Sequence, residues 1–380
     1  MENTNYTNNN TNINTNNNTM NNTNSSTNRV TIQDIADALG ISRNTVSKAI
    51  NNTGVLADST REKVLKKAAE MGYKQFSYLN ISENSIEARL PLSKNSGEIA
   101  LLITGFIGDS HFASVMLDKF QKETSQLGYG FSMHRVLEKD IDALSLPLSF
   151  DREKTIGIIC CEMFNYPYGQ MLCSLGIPVL FVESPVIGQG SPLKADRLYM
   201  DNQTEIFSFV REMADRGKKN IGFIGESMHC QSFYERFMAC RNALYMNKLP
   251  FMEEYFLLEN KAGIKKPSSQ DYQDYLCEHL QSLKHLPDVF ICANDFIAMD
   301  VLTALHSLGY DVPKDTFLCG FDDSPDSKLI RPALTTIHIH SQIMGITAVQ
   351  LLLSRIKEPS LNYRTVYTET NLIYRESTGD

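Results

Sequence analysis

The side chains best suited to chemistry near the amino terminus form one short polar and basic run. This run is RNTVSK at 43–48, and Ser42 precedes it. Arginine can bond guanine through two nitrogens and asparagine can do the same to adenine, while short hydroxyls suit phosphate oxygens. The run therefore favours DNA recognition. The alternative is a generic protein-interaction module whose polar helix face is only solvated.

Candidate groups for binding a small molecule lie much later in the chain. Arg236 presents a fixed fork of donors, and Asp295 in CANDFIA and Asp322 in GFDD each follow an apolar run. Phe112 and Phe296 offer stacking surfaces, so the set suits a sugar-like ligand, and acids at strand ends do not by themselves indicate catalysis. Two alternatives stay open. Asp295 is equally suited to cap a helix, and the two phenylalanines are equally suited to a core.

The apolar spacing around the amino-terminal run predicts a helix-turn-helix. Thr31 with Asp34 three residues later is a capping-box pattern that opens a first helix, and Gly40 ends that helix. Ser42 then caps a second helix, which holds the polar run on its first two turns. Two short helices joined by a glycine-containing turn are typical of modules that place the second helix in the major groove. A third helix near 59–71 would complete the core.

Charge separates this small unit from the rest of the chain. The 380 residues carry a formal charge of −8, which alone would not suggest a nucleic-acid binder. Residues 29–74 contain eight Lys or Arg and five acids and are therefore +3, whereas residues 75–380 are −10. A small basic unit attached to a large acidic body can bind DNA despite the acidic total.

The segments that flank the basic unit have compositions unsuited to a core. Residues 1–28 contain 14 Asn and 7 Thr and are expected to be a disordered leader, and residues 75–97 are expected to be a linker. We find neither a run of 18 apolar residues nor a secretory signal, so no membrane contact is expected. The eight cysteines lack metal-binding spacing. They are expected to be reduced, in a cytoplasmic, nucleoid-associated protein without metal or cofactor.

Residues 98–380 alternate between two kinds of segment. Short apolar runs such as IALLI at 99–103 and PVLFVE at 178–183 read as buried strands. Amphipathic stretches such as 111–127 and 295–309 lie between them. This alternation predicts an α/β fold of parallel sheets flanked by helices, and the length favours two lobes. Ligands of such folds bind at the carboxyl ends of the strands, in the crevice between lobes.

The segment VTIQDIADALGISRNTVSKAINN resembles the DNA-binding headpiece of the lactose-repressor/galactose-repressor (LacI/GalR) family. By this resemblance Arg43, Asn44 and Lys48 stand at base-reading positions. Hydroxyl and amide side chains around them match positions that mostly contact the DNA backbone. The full candidate DNA-binding set is Thr31, Ser42, Arg43, Asn44, Thr45, Ser47, Lys48, Asn51 and Leu90.

The body of the chain is similar to the same family over most of its length. The segments HFASVMLDKFQKETSQLGY, PDVFICANDFIAMD and GFDDSPDSKLIRPALTTI carry this similarity. The resemblance implies a core like periplasmic sugar-binding proteins, with two lobes, three crossovers and an effector cleft. Arg236 and Asp322 match effector-contacting positions, and Asp295 lies beside them. The expected lobes are about 98–199 with 336–362, and about 200–335 with 363–380.

The sequence departs from the family in the hinge between headpiece and core. Relatives follow the third helix closely with a short helix whose leucine wedges into the minor groove. Here an insertion of about eight residues follows Gly72-Tyr73, before Asn84-Ser-Ile-Glu-Ala-Arg-Leu90. Leu90 is the candidate wedge. A flexible linker is an equally good interpretation of this segment.

Three functions are compatible with this fold class. The first is a ligand-responsive repressor that binds double-stranded palindromic operator DNA as a homodimer and responds to a small effector, with a carbohydrate favoured. An enzyme is a second possibility, but we find no G-x-x-x-x-G-K-[ST], G-x-G-x-x-G or G-x-S-x-G motif. A transport-type binding protein is the third, and the basic headpiece argues against it. We therefore predict a regulator and not an enzyme.

Overall fold

The computed structural model describes residues 30–50, 56–71, 73, 97–105, 111–188, 190–259 and 269–379. The chain divides into two compact units, Met1–Ala88 and Arg89–Asp380. The expected leader at 1–28 and two candidate DNA-binding residues, Asn51 and Leu90, lie outside the described residues. Nearly all of the expected linker lies outside them as well.

Three helices make up the described part of the first unit. They are α1 (Ile32–Leu39), α2 (Arg43–Ile50) and α3 (Asp58–Glu70). The capping box that the sequence predicts starts α1. The Thr31 hydroxyl accepts from the Asp34 backbone N–H at 3.3 Å, and the Asp34 carboxylate accepts from the Thr31 backbone N–H at 2.7 Å. Gly40 ends the helix with a φ of 64°, a conformation that glycine adopts without strain.

Small and β-branched side chains form the core of this unit. Ile35, Val46, Ala49, Val64 and Ala68 are all fully buried. Each helix contributes to this core, so the three helices hold one another in place. Burying each larger aliphatic side chain contributes on the order of 1.5–3 kcal/mol. The inward face of α2 is thus fixed, which leaves its polar residues on the outward face.

The second unit contains two parallel sheets. The six-stranded sheet has the order β11-β5-β4-β3-β1-β2, and the four-stranded sheet has the order β7-β6-β8-β9. The first comprises β1 (Glu98–Ile103), β2 (Gly130–Arg135), β3 (Thr155–Cys161), β4 (Val179–Val182), β5 (Asp196–Met200) and β11 (Thr365–Thr368). The second comprises β6 (Ile221–Ile224), β7 (Phe256–Leu257), β8 (Val289–Cys292) and β9 (Phe317–Cys319). A separate antiparallel pair joins β10 (Thr336–Ile339) to β12 (Thr370–Ile373).

Helices alternate with these strands, as the periodicity predicts. They are α4 (His111–Gln126), α5 (Glu138–Asp142), α6 (Tyr166–Cys173), α7 (Thr204–Asp215), α8 (Gln231–Met246), α9 (Gln270–Ser282), α10 (Asp295–Ser307) and α11 (Ser341–Lys357). The central strands β3, β4, β6 and β8 are buried almost throughout, which explains their uninterrupted apolar sequences. Among the described residues, no helix combines the length and the apolar character that crossing a bilayer requires.

Two of the crossings between the sheets fall at places that differ from the expected lobe limits. The expected second lobe resumes at residue 363, but β11 pairs in parallel with β5 in the six-stranded sheet. Likewise β10 was expected in the first lobe, but Asp322 next to β9 forms a bridge with His338. The crossings therefore fall near residues 340 and 369. Buried Asp196 on β5 anchors the β11 edge, because its carboxylate accepts hydrogen bonds from Arg355 and Arg364.

Candidate functional site

The first turn of α2 is the exposed polar surface of the amino-terminal unit. The Ser42 hydroxyl accepts from the Thr45 backbone N–H at 3.0 Å and therefore caps the helix. Arg43 and Asn44 are exposed, while Thr45 and Lys48 are partly buried. The side chains that can bond base edges thus lie at the start of the helix, where backbone N–H groups also favour phosphate.

Two other members of the DNA-binding set are Thr31, which caps its own helix, and Ser47, which is partly buried. Thr31 is exposed, and its hydroxyl both donates to and accepts from Asp34 within the capping box of α1. Ser47 is partly buried on α2. A phosphate contact by Thr31 would therefore be made by a residue that also stabilises its own helix. Asn51 and Leu90 were predicted to contact DNA and lie outside the described part of the chain.

Arg236 is the centre of the candidate effector site in the second unit. It extends from the first turns of α8 and is only 3% exposed. Its Nε donates to the Asn202 side-chain oxygen at 2.9 Å, and its Nη1 donates to the Ala293 carbonyl at 2.6 Å. The Phe321 ring centroid lies 3.5 Å from the guanidinium carbon, which adds a cation–π contact. These contacts hold the guanidinium in one orientation.

Asp322 lies opposite that guanidinium, three residues after the end of β9. Its Oδ1 is 3.7 Å from Arg236 Nη1, and its side chain is 16% exposed. Among the described residues we find no hydrogen-bond donor to its carboxylate. Its backbone has a φ of 116°, an unfavourable conformation for a residue other than glycine. Burial raises the pKa of Asp322 well above its usual range, and the Arg236 charge partly opposes that shift.

Asp295 stabilises the loop below the site and does not cap α10. The N-cap is Asn294, whose side chain accepts from the Ile297 backbone N–H at 2.9 Å. Asp295 is fully buried, and its carboxylate accepts from the Ser324 backbone N–H at 2.7 Å and from the Thr336 hydroxyl at 2.5 Å. Burial raises the pKa of Asp295 to about 7. The cap interpretation was wrong by one residue, because two adjacent residues both have suitable side chains.

The two phenylalanines expected to line the site differ in their surroundings. Phe112 on α4 is buried within the large hydrophobic core. Phe296 in the first turn of α10 is partly buried and belongs to none of the hydrophobic clusters of the described residues. The core interpretation therefore describes Phe112, whereas Phe296 remains available to a ligand.

Three other rings form an aromatic group at the strand ends. The His229 ring lies 4.8 Å from the Phe164 ring and 5.1 Å from the Phe233 ring. Phe164 follows β3 in the six-stranded sheet, while His229 and Phe233 follow β6 in the other sheet. The group therefore spans the two lobes. The sequence does not reveal this group, because nothing local distinguishes these rings from core aromatics.

Two glutamates that follow strands of the six-stranded sheet also belong to the site. Glu162 and Glu183 come directly after β3 and β4, with φ values of 55° and 64°. Glu183 is buried and accepts from the Ser232 hydroxyl at 2.7 Å. Burial raises the pKa of Glu183 to about 7. An acid that follows an apolar strand, the pattern that indicated Asp322, is also present in CCE and FVE, although neither glutamate is among the sequence-predicted site residues.

A polar network joins the two lobes behind Arg236. The Asn202 amide donates to the Ser232 hydroxyl at 2.9 Å and to the Glu235 carboxylate at 2.8 Å. The Tyr367 hydroxyl on β11 donates to the same carboxylate at 2.8 Å. Because α8 belongs to one lobe and β11 to the other, these hydrogen bonds link the two lobes. We find no group of three or more His, Cys, Asp or Glu suited to a metal in the described part of the chain.

Comparisons with known proteins give the family context of both units. Residues 31–75 match the family model "Bacterial regulatory proteins, lacI family", and residues 210–378 match "Periplasmic binding protein-like domain". The HTH-type transcriptional repressor PurR of Mannheimia succiniciproducens is 24% identical over 353 residues, which is 91% of this chain and 98% of that protein. PurR of Yersinia pestis bv. Antiqua (strain Antiqua) is 26% identical over 355 residues, covering 92% of this chain and 97% of the relative.

Solved structures show the same architecture. A transcriptional regulator CelR in complex with cellobiose aligns with a TM-score of 0.63 at 20% identity, covering 92% of this chain and 100% of that one. The lac repressor dimer bound to operator and the anti-inducer ONPF aligns with a TM-score of 0.58 at 19% identity, covering 92% of this chain and 99% of that one. At this identity the likeness establishes the fold.

Proposed function

The chain belongs to the LacI family of bacterial regulatory proteins, and from this membership we propose how it works. It is a DNA-binding transcriptional repressor that recognises a palindromic operator as a homodimer. A small effector, which we propose is a carbohydrate, controls its affinity for DNA. A protein with this role acts in the cytoplasm, where it associates with the nucleoid, and it performs no catalysis.

The observation that carries the proposal is the exposed first turn of α2. Arg43 and Asn44 extend from a helix whose opposite face is locked into a core, so their side chains are presented by a rigid support. We propose that Arg43, Asn44 and Lys48 read base edges. We propose backbone contacts for Thr31, Ser42, Thr45, Ser47 and Asn51, and a minor-groove contact for Leu90.

A homodimer follows from the size of the proposed reading surface. One recognition helix contacts few base pairs, so a second copy is needed to specify a longer site. Two-fold symmetry in the protein would then be matched by a palindrome in the operator. The operator-bound lac repressor dimer, which has the same fold, supports this arrangement.

The proposed effector site combines groups that suit a hydroxylated ring. Arg236 supplies a fixed donor, Asp322 supplies acceptors, and Phe296 supplies a stacking face. Asp295 would act through positioning, because its carboxylate already accepts from Ser324 and Thr336, and Phe112 would do so because it packs in the large hydrophobic core. The cellobiose-bound regulator of similar fold supports a carbohydrate ligand.

The proposal can be tested by selecting DNA from a random duplex library with the purified full-length protein at moderate salt. We expect an enriched palindrome whose half-sites are separated by about one helical turn. Weak binding of all sequences, lost as salt rises, would contradict the proposal. Repeating the selection with pooled sugars present covers the case in which the effector is a corepressor.

A further inference from the structure

The charges at the strand ends of the cleft are strongly unequal. Arg236 is the cation that opposes the raised pKa of Asp322, whereas Glu162, Glu183 and Asp295 all add to that shift. The same arginine and Glu162 also act on Glu183, together with the neighbouring Glu235. One guanidinium therefore faces a larger number of carboxylates. A second negative group entering this space would meet repulsion that water screens poorly.

The cleft also offers more hydrogen-bond acceptors than donors. Among the described residues, the Asp322 carboxylate receives no donor, and the Glu183 carboxylate receives one, from Ser232. The Arg236 bonds use Nε and Nη1, which leaves Nη2 as a further donor. When these carboxylates are ionised they can only accept, so a ligand must then bring donors of its own. Hydroxyl and ammonium groups donate, whereas phosphate and carboxylate groups do not when ionised.

We infer that the cleft selects sugars without an anionic group, whose hydroxyls or ammonium group donate to Asp322 and Glu183, and rejects phosphorylated and carboxylated sugars. This inference rests on the proposed function, because it assumes that a carbohydrate effector occupies the cleft. The regulator would then respond to a sugar before a kinase has phosphorylated it.

Glu183 is the residue that should set this selectivity. Its position is fixed by the Ser232 hydroxyl at 2.7 Å and by a left-handed backbone at the end of β4. Glu183 belongs to the lobe opposite to Arg236 and Asp322. A ligand would therefore lie between Glu183 on one side and Arg236 with Asp322 on the other. A glutamine at this position keeps the shape, removes the charge and introduces a donor.

The test uses the full-length protein at pH 8, where Glu183, with a pKa of about 7, is mostly ionised. Thermal-shift screening covers common pentoses, hexoses and disaccharides, together with the 2-amino, 6-phosphate and uronate derivatives of the hexoses. We expect the stabilising compounds to be free or amino sugars. Titration calorimetry should show that the phosphate of the best ligand binds at least tenfold more weakly, which corresponds to about 1.4 kcal/mol. Comparing the affinities of the free sugar and its 2-amino derivative then shows whether a hydroxyl or an ammonium group is preferred.

Glu183→Gln should reduce the difference in affinity between the free sugar and its phosphate. Glu162→Gln, at the neighbouring strand end, provides a second variant with the same expectation. Glu153→Gln on the exposed surface is the control and should leave the difference unchanged.

The possible failures are distinguishable. A phosphorylated or carboxylated sugar that binds as tightly as its parent would overturn the inference and leave the carbohydrate effector intact. An unchanged difference in both glutamine variants would also overturn it. If no compound in any panel binds, the proposed carbohydrate effector is contradicted and the inference with it.

Discussion

The candidate DNA-binding surface and the candidate effector cleft are built in opposite ways. The DNA-binding surface comes mainly from neighbouring residues at the start of one helix, within 42–48. The cleft draws Glu162, Glu183, Arg236 and Asp322 from two sheets and a span of 160 residues. A local pattern is therefore enough to find the first surface, whereas the second can be assembled only when the topology is known.

Their electrostatics differ as well, and this difference predicts how each will respond to conditions. The headpiece is basic and its polar residues are exposed or partly buried, so its binding should depend mainly on salt. The cleft is acidic and its carboxylates are buried or partly buried, so its properties should depend mainly on pH. Four predictions test this separation.

The largest effect is expected for Arg236→Ala. This change removes the fixed donor and leaves Asp322 without its cation, so the effector response should be lost while DNA binding of the ligand-free protein persists. Anisotropy of a labelled operator duplex, with and without the stabilising sugar, measures both. Arg241→Ala, an exposed position on the same helix, is the control and should respond normally. A normal effector response in Arg236→Ala would mean that Arg236 does not bind the effector.

The next effect concerns stability and pH through Asp295. Its pKa is about 7 in the folded protein against an ordinary 3.8, so the folded state holds a proton that the unfolded state releases. Stability should therefore fall as pH rises from about 4 to 7, by up to 1.4 kcal/mol for each pH unit. Asp295→Asn should flatten this fall. Urea unfolding, monitored by tyrosine fluorescence at several pH values, measures this dependence.

The control for this experiment is Asp142→Asn, an exposed position that should keep the full pH dependence. An identical slope in Asp295→Asn and the unmodified protein would mean that Asp295 is ionised in the folded state. Glu183, whose pKa is also about 7, adds a decline of the same sign, so the Asp295 variant should lose part of the slope only.

Arg43→Ala tests the DNA-binding surface. If Arg43 reads a guanine, the change should cost about 1–3 kcal/mol on the operator and relax the preference at one position of each half-site. Lys63→Ala, an exposed residue on α3, should at most weaken binding to operator and scrambled duplexes alike. Repeating the DNA selection with each variant distinguishes the two. An unchanged operator preference in Arg43→Ala would contradict a base-reading role.

The smallest effect is expected for Thr31→Ala, which removes the side-chain half of the α1 capping box. Loss of such a cap costs about 1 kcal/mol, so amide exchange in the first unit should accelerate by roughly fivefold. Hydrogen exchange of the full-length chain resolves this locally. Ser59→Ala, exposed on α3, is the matched control. Equal exchange in both variants would mean that the cap contributes little.

Features that neighbours along the chain determine could be predicted from the sequence. Thr31 and Asp34 form their capping box because the two residues are one helical turn apart, and no distant contact is needed. The α/β alternation was equally readable, since a buried parallel strand must be apolar on both faces. The LacI-family identity followed from the same local patterns.

Features that depend on distant partners, such as strand pairing and the choice of a helix cap, could not be predicted from the sequence. The segment at 365–368 could pair with either sheet edge, and β5 with its buried Asp196 decides the outcome. Asn294 and Asp295 are both good caps, and only the positions of Ser324 and Thr336 explain why Asp295 turns inwards. Glu162 and Glu183 gain significance only because their strands end beside Arg236.

The most direct test of the account measures both sites in one experiment. The full-length protein is titrated onto its selected operator duplex with and without a saturating amount of the stabilising sugar, at fixed salt and pH. We predict that the sugar changes the operator Kd by at least tenfold, in either direction, because the proposed function requires the two sites to be coupled. A sugar that binds the cleft by calorimetry and leaves the operator Kd unchanged would contradict the claim that this chain is a ligand-controlled repressor.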